Sequence, residues 1–296
     1  MPSAGRGASG QRATDGRTWI AAGVLTCALV AWAALVWAAP SLPESLALQV
    51  PQLARALAAG LFLTAGVMRL ARWRLTDDPR AARAAAALLF LGAGLPAVAL
   101  VGPLMQRPEA LAHATPAARL LLVFPVLALI AAGSLPRQHV VRPVRMAAVL
   151  LAAWVVTVTA LANLHLTSTT SLMDVPVVWL AAEIVAAGGW MGLAVVAWRQ
   201  GRRESRPARN LAALALLLMG MCELLKAHSI AYEPASFGLG PGIQLIAAAL
   251  AAAAAAIELR EAFRTNSSRA HYIAHTLVDV QEQLAQVERV QRERLH

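Results

Sequence analysis

Six polar side chains stand inside, or at the ends of, long apolar runs: Asn163, His165, Glu183, Glu223, Lys226 and His228. An ionisable group within an apolar span is costly and is by default a candidate for function. In MCELLKAH, Glu223 and Lys226 are three residues apart, which on a helix puts them on one face as an ion pair. Glu183 lies about eight residues from the end of its run, roughly 12 Å deep at 1.5 Å per residue. Asn163 and His165 close the run ALANLHL, and His228 closes the run that holds Glu223. Opposite chain directions bring all six to the same half of a bilayer. Together they could bind a small ligand or ion, or titrate with pH or potential, with Glu183 as the group whose protonation changes. The competing reading is structural, an ion pair and interhelical hydrogen bonds that hold helices together.

A different candidate stands at the far end. QVERVQRERLH has neither Pro nor Gly, many charges, and His296 as its last residue. A neutral imidazole exposed on a helix can act as a nucleophile; without further context such a histidine is a solvated helix-end residue.

The elements that must position these residues follow from composition. Apolar residues make up 58% of 296 positions and charged ones 14%, against about half and a quarter in soluble domains. The apolar residues fall in eight blocks, near Thr18–Ala39, Leu53–Leu70, Ala84–Leu104, Ala117–Leu135, Met146–His165, Val175–Trp198, Leu211–His228 and Ile243–Leu259. Each is about the 20 residues that cross roughly 30 Å of hydrocarbon as helix. The expected fold is therefore all-α, a polytopic bundle of eight transmembrane helices with the lipid bilayer as its solvent.

The net charge of +10 could suggest nucleic acid, but its placement argues otherwise. Lys226 is the only lysine, and the arginines alternate between connectors. Arg6, Arg12 and Arg17 precede the first block, and Arg69, Arg72, Arg74, Arg80 and Arg83 lie at the end of the second and in the connector after it. Arg137, Arg142 and Arg145 follow the fourth, and Arg199, Arg202, Arg203, Arg206 and Arg209 the sixth. The connectors between are poor in arginine. Because arginines are retained on the cytoplasmic side, both termini are expected there. That requires an even number of spans, which eight satisfies. The basic arm followed by WAAP also resembles a cleaved signal peptide, but the apolar core is longer than usual, which favours an uncleaved anchor.

Cys27 and Cys222 both lie in apolar segments, where cysteine behaves as a small hydrophobe, and no disulfide framework follows. His113, His165 and His228 with Met219, Met221 and Cys222 lack a metal-ligand spacing, so no metal is expected. Most of the eight tryptophans fall near block ends, as an aromatic belt would place them. Gly188 and Gly192 form a GxxxG, for which packing within the bundle is preferred over a dimer interface. The alanine run IAAALAAAAAAI also invites close approach, and because it feeds the tail it is the better candidate for a dimer axis.

After the eighth block the helix has no evident reason to stop. Leu259, Phe263, Asn266, Ala270, Ile273, Leu277, Val280, Leu284 and Val287 alternate in steps of four and three. That is the seam of a parallel coiled coil, with Asn266 able to set register. TNSS is the one weak point, and the seam's last steps, to Gln291 and Leu295, locally unwind it. A surface helix would show a broader apolar face. The chain so divides into a basic arm (1–17), an eight-span domain (18–259) and a signalling coiled coil (260–296).

A polytopic bundle, a coiled coil and then ERLH resemble the sensory half of a bacterial sensor histidine kinase. The Ala- and Arg-rich, nearly lysine-free composition resembles actinobacterial members. The resemblance implies that His296 is the phosphoacceptor, that the chain works as a homodimer in the plasma membrane, and that a response regulator is its partner. It also implies that ATP and magnesium belong to a transmitter domain beyond His296, so no cofactor is expected in this chain. The acid that commonly follows the family's histidine and the ATP-binding boxes are not among these residues, and a truncated gene product is the expectation. The alternative is a transporter, channel or lipid-handling protein with an oligomerising coiled coil. Against it stands the lack of repeats or paired broken helices. An intramembrane enzyme is weaker still, with no nucleophile–base or Walker motif.

Overall fold

The computed structural model describes residues 44–104, 108–132, 142–167, 176–232 and 239–295. The elements are α1 (Glu44–Thr76), α2 (Pro79–Leu104), α3 (Pro108–Ala132), α4 (Pro143–Thr167), α5 (Pro176–Arg203), α6 (Pro207–Tyr232) and α7 (Leu239–Leu295), and no strand occurs among the described residues. Helices α2 to α6 each open on proline, whose fixed φ suits the first helical position, where its missing N–H costs nothing.

Two tight turns fix antiparallel neighbours. Between α1 and α2, Asp77 takes φ 50°, a left-handed conformation that Asp tolerates better than most residues. The Asp77 amide donates to the Trp73 carbonyl at 2.7 Å. Asp78 then caps α2, its Oδ1 accepting from the Arg80 amide at 3.0 Å. Ser205, with φ 51°, does the same service between α5 and α6.

Among the described residues, six helices are long and apolar enough to cross a membrane: Gln49–Thr76, Pro79–Val98, Pro143–Ala160, Val177–Arg203, Pro207–His228 and Leu239–Ser268. They point to a multi-pass membrane protein. Within α3 the apolar stretch is shorter, Ala117–Ala132. Of the eight expected spans, the first, Thr18–Ala39, lies outside the described residues.

The main contacts run α7–α1–α2–α3–α5–α6 and back to α7, closing a ring, while α4 leans on α2 and α3 from outside. Trp154 ties α4 on, its buried indole N–H donating to the Ala118 carbonyl at 2.7 Å. It is thus a packing residue, as is fully buried Trp190, and neither belongs to an aromatic belt. Valines 149, 155 and 156 on α4 and 177, 185 and 195 on α5 are exposed, as lipid-facing positions should be. The alanine run of α7 puts Ala247, Ala248, Ala254 and Ala255 into the bundle. Small side chains thus serve close approach to the chain's own helices.

The preference for Gly188 and Gly192 as packing residues within the bundle is corrected. A Cβ at either would meet nothing within 4 Å, because the GxxxG face of α5 points away from the ring. Gly92 is the position that needs its hydrogen: a Cβ there would lie 2.8 Å from the Leu63 amide nitrogen and 3.0 Å from the Ala59 carbonyl. Backbone cannot step aside as a flexible side chain does. Gly92→Ala is expected to prise α1 from α2 at a cost of about 1–3 kcal/mol, seen as a lowered melting temperature in detergent. Gly188→Ala should melt like the native chain; equal losses would show the α1–α2 approach to be looser than described.

Candidate functional site

Glu183 and Glu223 are each 1% exposed, among the largest fully buried side chains in the bundle. Helix α5 brings Glu183 about 10 Å in from its first residue at ~1.5 Å per residue, and antiparallel α6 brings Glu223 to the same depth. The two carboxyl groups face each other within hydrogen-bonding reach across the α5–α6 contact. A hydrogen bond between two carboxyl groups requires that one of them carry a proton. Lys226 completes the arrangement, its Nζ donating to both Glu223 oxygens at 2.9 and 2.7 Å. Oε2 of Glu183 has no hydrogen-bond partner.

The spacing of Glu223 and Lys226 thus gives the ion pair expected of it, and Glu183 joins it. Arg119 of α3 lies within electrostatic reach of both carboxyl groups and of Cys222. Helix α3 packs against α5 beside this group, whereas α4 packs mainly on α2 and α3 outside the ring. Asn163 and His165 are on α4, but their side chains lie outside the described residues. His228 is exposed near the end of α6, and His296 lies outside the described residues.

What the arrangement can do is hold a proton, or trade it for another ligand of a buried carboxyl group, where no water competes. Among the described residues no three His, Cys, Asp or Glu side chains are placed to hold a metal ion. Cys222 is buried as a packing residue, its Sγ 3.5 Å from the Gly240 carbonyl of α7.

A second charged group, unforeseen from sequence, sits at the opposite end. Glu258 of α7 is gripped by two arginines of α1: Arg69 at 3.1 Å and Arg72 at closer range. Arg72 also bonds Asp78 at 3.1 Å. All four charges are largely shielded from solvent, and Arg83 caps α3 by donating to the Ala132 carbonyl. The arginines after α1, those after α5 and Glu258 all gather on this face, so the alternation in sequence corresponds to one charged end of the ring.

Between the two charged groups the ring encloses an axial cavity of about 280 Å³, opening at the arginine-rich face. Neither Glu183 nor Glu223 lines it.

No protein-family model matches the chain, and no curated protein or solved structure matches it either.

Proposed function

We propose that the chain is a membrane signal sensor whose bundle passes a stimulus to α7, and α7 to an output beyond the membrane. The observation that carries this is the continuity of α7, one helix from Leu239 in the ring to Leu295. The TNSS stretch does not break it, since Thr265 turns its hydroxyl back to the Glu261 carbonyl and Ser268 to that of Arg264. Past the bundle, Phe263, Ile273 and Leu277 of the seam are 55–59% exposed. Steps of three and four then favour a second copy of the same helix as their cover. A shift of α7 at Glu258 would travel down such a pair as rotation or sliding.

By the resemblance above, the output is a histidine kinase transmitter, His296 its phosphoacceptor, ATP and magnesium its needs, and a response regulator its partner. The location is then the bacterial plasma membrane with both termini inside, the arginine-rich face being cytoplasmic. The buried carboxyl pair is the proposed sensing element.

The axial cavity with charge at its mouth favours a second reading, transport. One pair of assays separates the two. Fused at His296 to the transmitter of a characterised histidine kinase, the chain should give autophosphorylation that changes several-fold with Glu183→Gln. Equal output from both would overturn the sensor reading, and ion or lipid flux in liposomes would then favour transport.

A further inference from the structure

The axial cavity has the anatomy of a site for an amphiphile. Its mouth carries Arg69, Arg72, Arg80 and Arg209 against Asp78 and Glu258, so four positive charges face two negative ones. Arg80 is exposed there, and Arg209 is bonded to Glu204 outside the lining. Deeper in, the walls turn apolar, with Leu88, Leu129, Leu193 and Leu216. Along α5 the lining runs from Gln200 at the mouth to Trp190, about 15 Å at ~1.5 Å per residue. The cavity is therefore a slot along the ring axis, near the lower end of the ~300–1,000 Å³ range of small-molecule sites.

Trp190 lines the slot, is 1% exposed, and its buried indole N–H has no acceptor. Buried donors are normally satisfied. A chain of methylenes does not supply that acceptor, so the indole N–H marks the foot of the slot and does not select its occupant.

We infer that the slot binds an anionic amphiphile, an alkyl chain with an acidic head, with the head at the arginines and the chain running toward Trp190. Net positive charge at the mouth selects the acidic head, and the apolar walls exclude small hydrophilic anions. Two sources supply this chemistry: a free fatty acid, and a chain of an anionic phospholipid from the adjoining leaflet. A bound head competes with Glu258 for Arg69 and Arg72 and so loosens α7 from α1. That consequence rests on the signalling role proposed above; the binding does not.

The test uses the full chain in nanodiscs of zwitterionic lipid, titrated with palmitate, with phosphatidylglycerol, and with a cationic amphiphile of the same chain length, read by native mass spectrometry. Palmitate, phosphatidylglycerol or both should bind at least tenfold more tightly than the cation. Arg80→Gln at the mouth and Ala212→Phe in the wall should each weaken that binding at least tenfold. Palmitate alone binding identifies a free acid as the source, and phosphatidylglycerol alone a leaflet lipid. No binding, equal binding of the cation, or indifference to both substitutions overturns the inference. Because binding is read without any output domain, its failure leaves the sensor reading standing, and the reverse holds too.

Discussion

Lys226→Met is expected to be the most damaging single substitution in the bundle. It leaves Glu223, 1% exposed, without the ammonium that meets both its oxygens. Removing one partner of a buried ion pair typically costs about 3–5 kcal/mol, because the survivor's charge stays buried and uncompensated. That is a large share of the ~5–15 kcal/mol that holds a domain together. The variant should show a sharply lower melting temperature in detergent and little folded protein in membranes. Lys226→Met combined with Glu223→Gln removes both charges and should recover most of the loss. The double variant melting as badly as the single one would mean that the pair's shape, not its charge, is what the bundle needs.

Glu258→Ala is expected to act at the other end and more locally. It strips Arg69 of its carboxylate partner, whereas Arg72 keeps Asp78 at 3.1 Å. The cost should therefore fall below that of a fully stranded pair, at about 2–3 kcal/mol. It should appear chiefly as loosening of α7 from α1. Amide exchange and proteolysis around Arg260 and Arg264 should quicken by roughly one to two orders of magnitude, since each 1.4 kcal/mol is about tenfold. Glu258→Gln keeps an acceptor oxygen without charge and should lie between. Unchanged protection of this segment in Glu258→Ala would show that alanine packing alone holds α7 in place.

Hydropathy found the helices because a membrane span must be apolar over its whole length, whatever its partners. The Glu223–Lys226 pair was legible for a similar reason, since both residues lie on one helix and three-residue spacing fixes their face. Arg119 escaped notice because a single arginine near a block end is diluted by the apolar residues around it. Arg119 matters only once α3 is known to stand beside α5. Arg69 and Arg72 were legible as topology signals but not as the grip on Glu258, which lies 186 residues away from Arg72. The axial cavity belongs to six helices at once, and no local pattern encodes their order around a ring.

The central claim, that α7 carries the bundle's state out of the membrane as a paired helix, is tested most directly by cysteine cross-linking in native membranes. In a background of Cys27→Ser and Cys222→Ala, single cysteines at Ile273, Leu277 and Val280 should form dimers rapidly on mild oxidation. Cysteines at His275 and Glu282, on the opposite face of the heptad, should not. Adding Glu258→Gln should change the relative rates along the seam, as release at the arginine-rich face repositions the helix. Cross-linking that ignores the heptad, or a seam that forms but stays indifferent to Glu258, would contradict the claim.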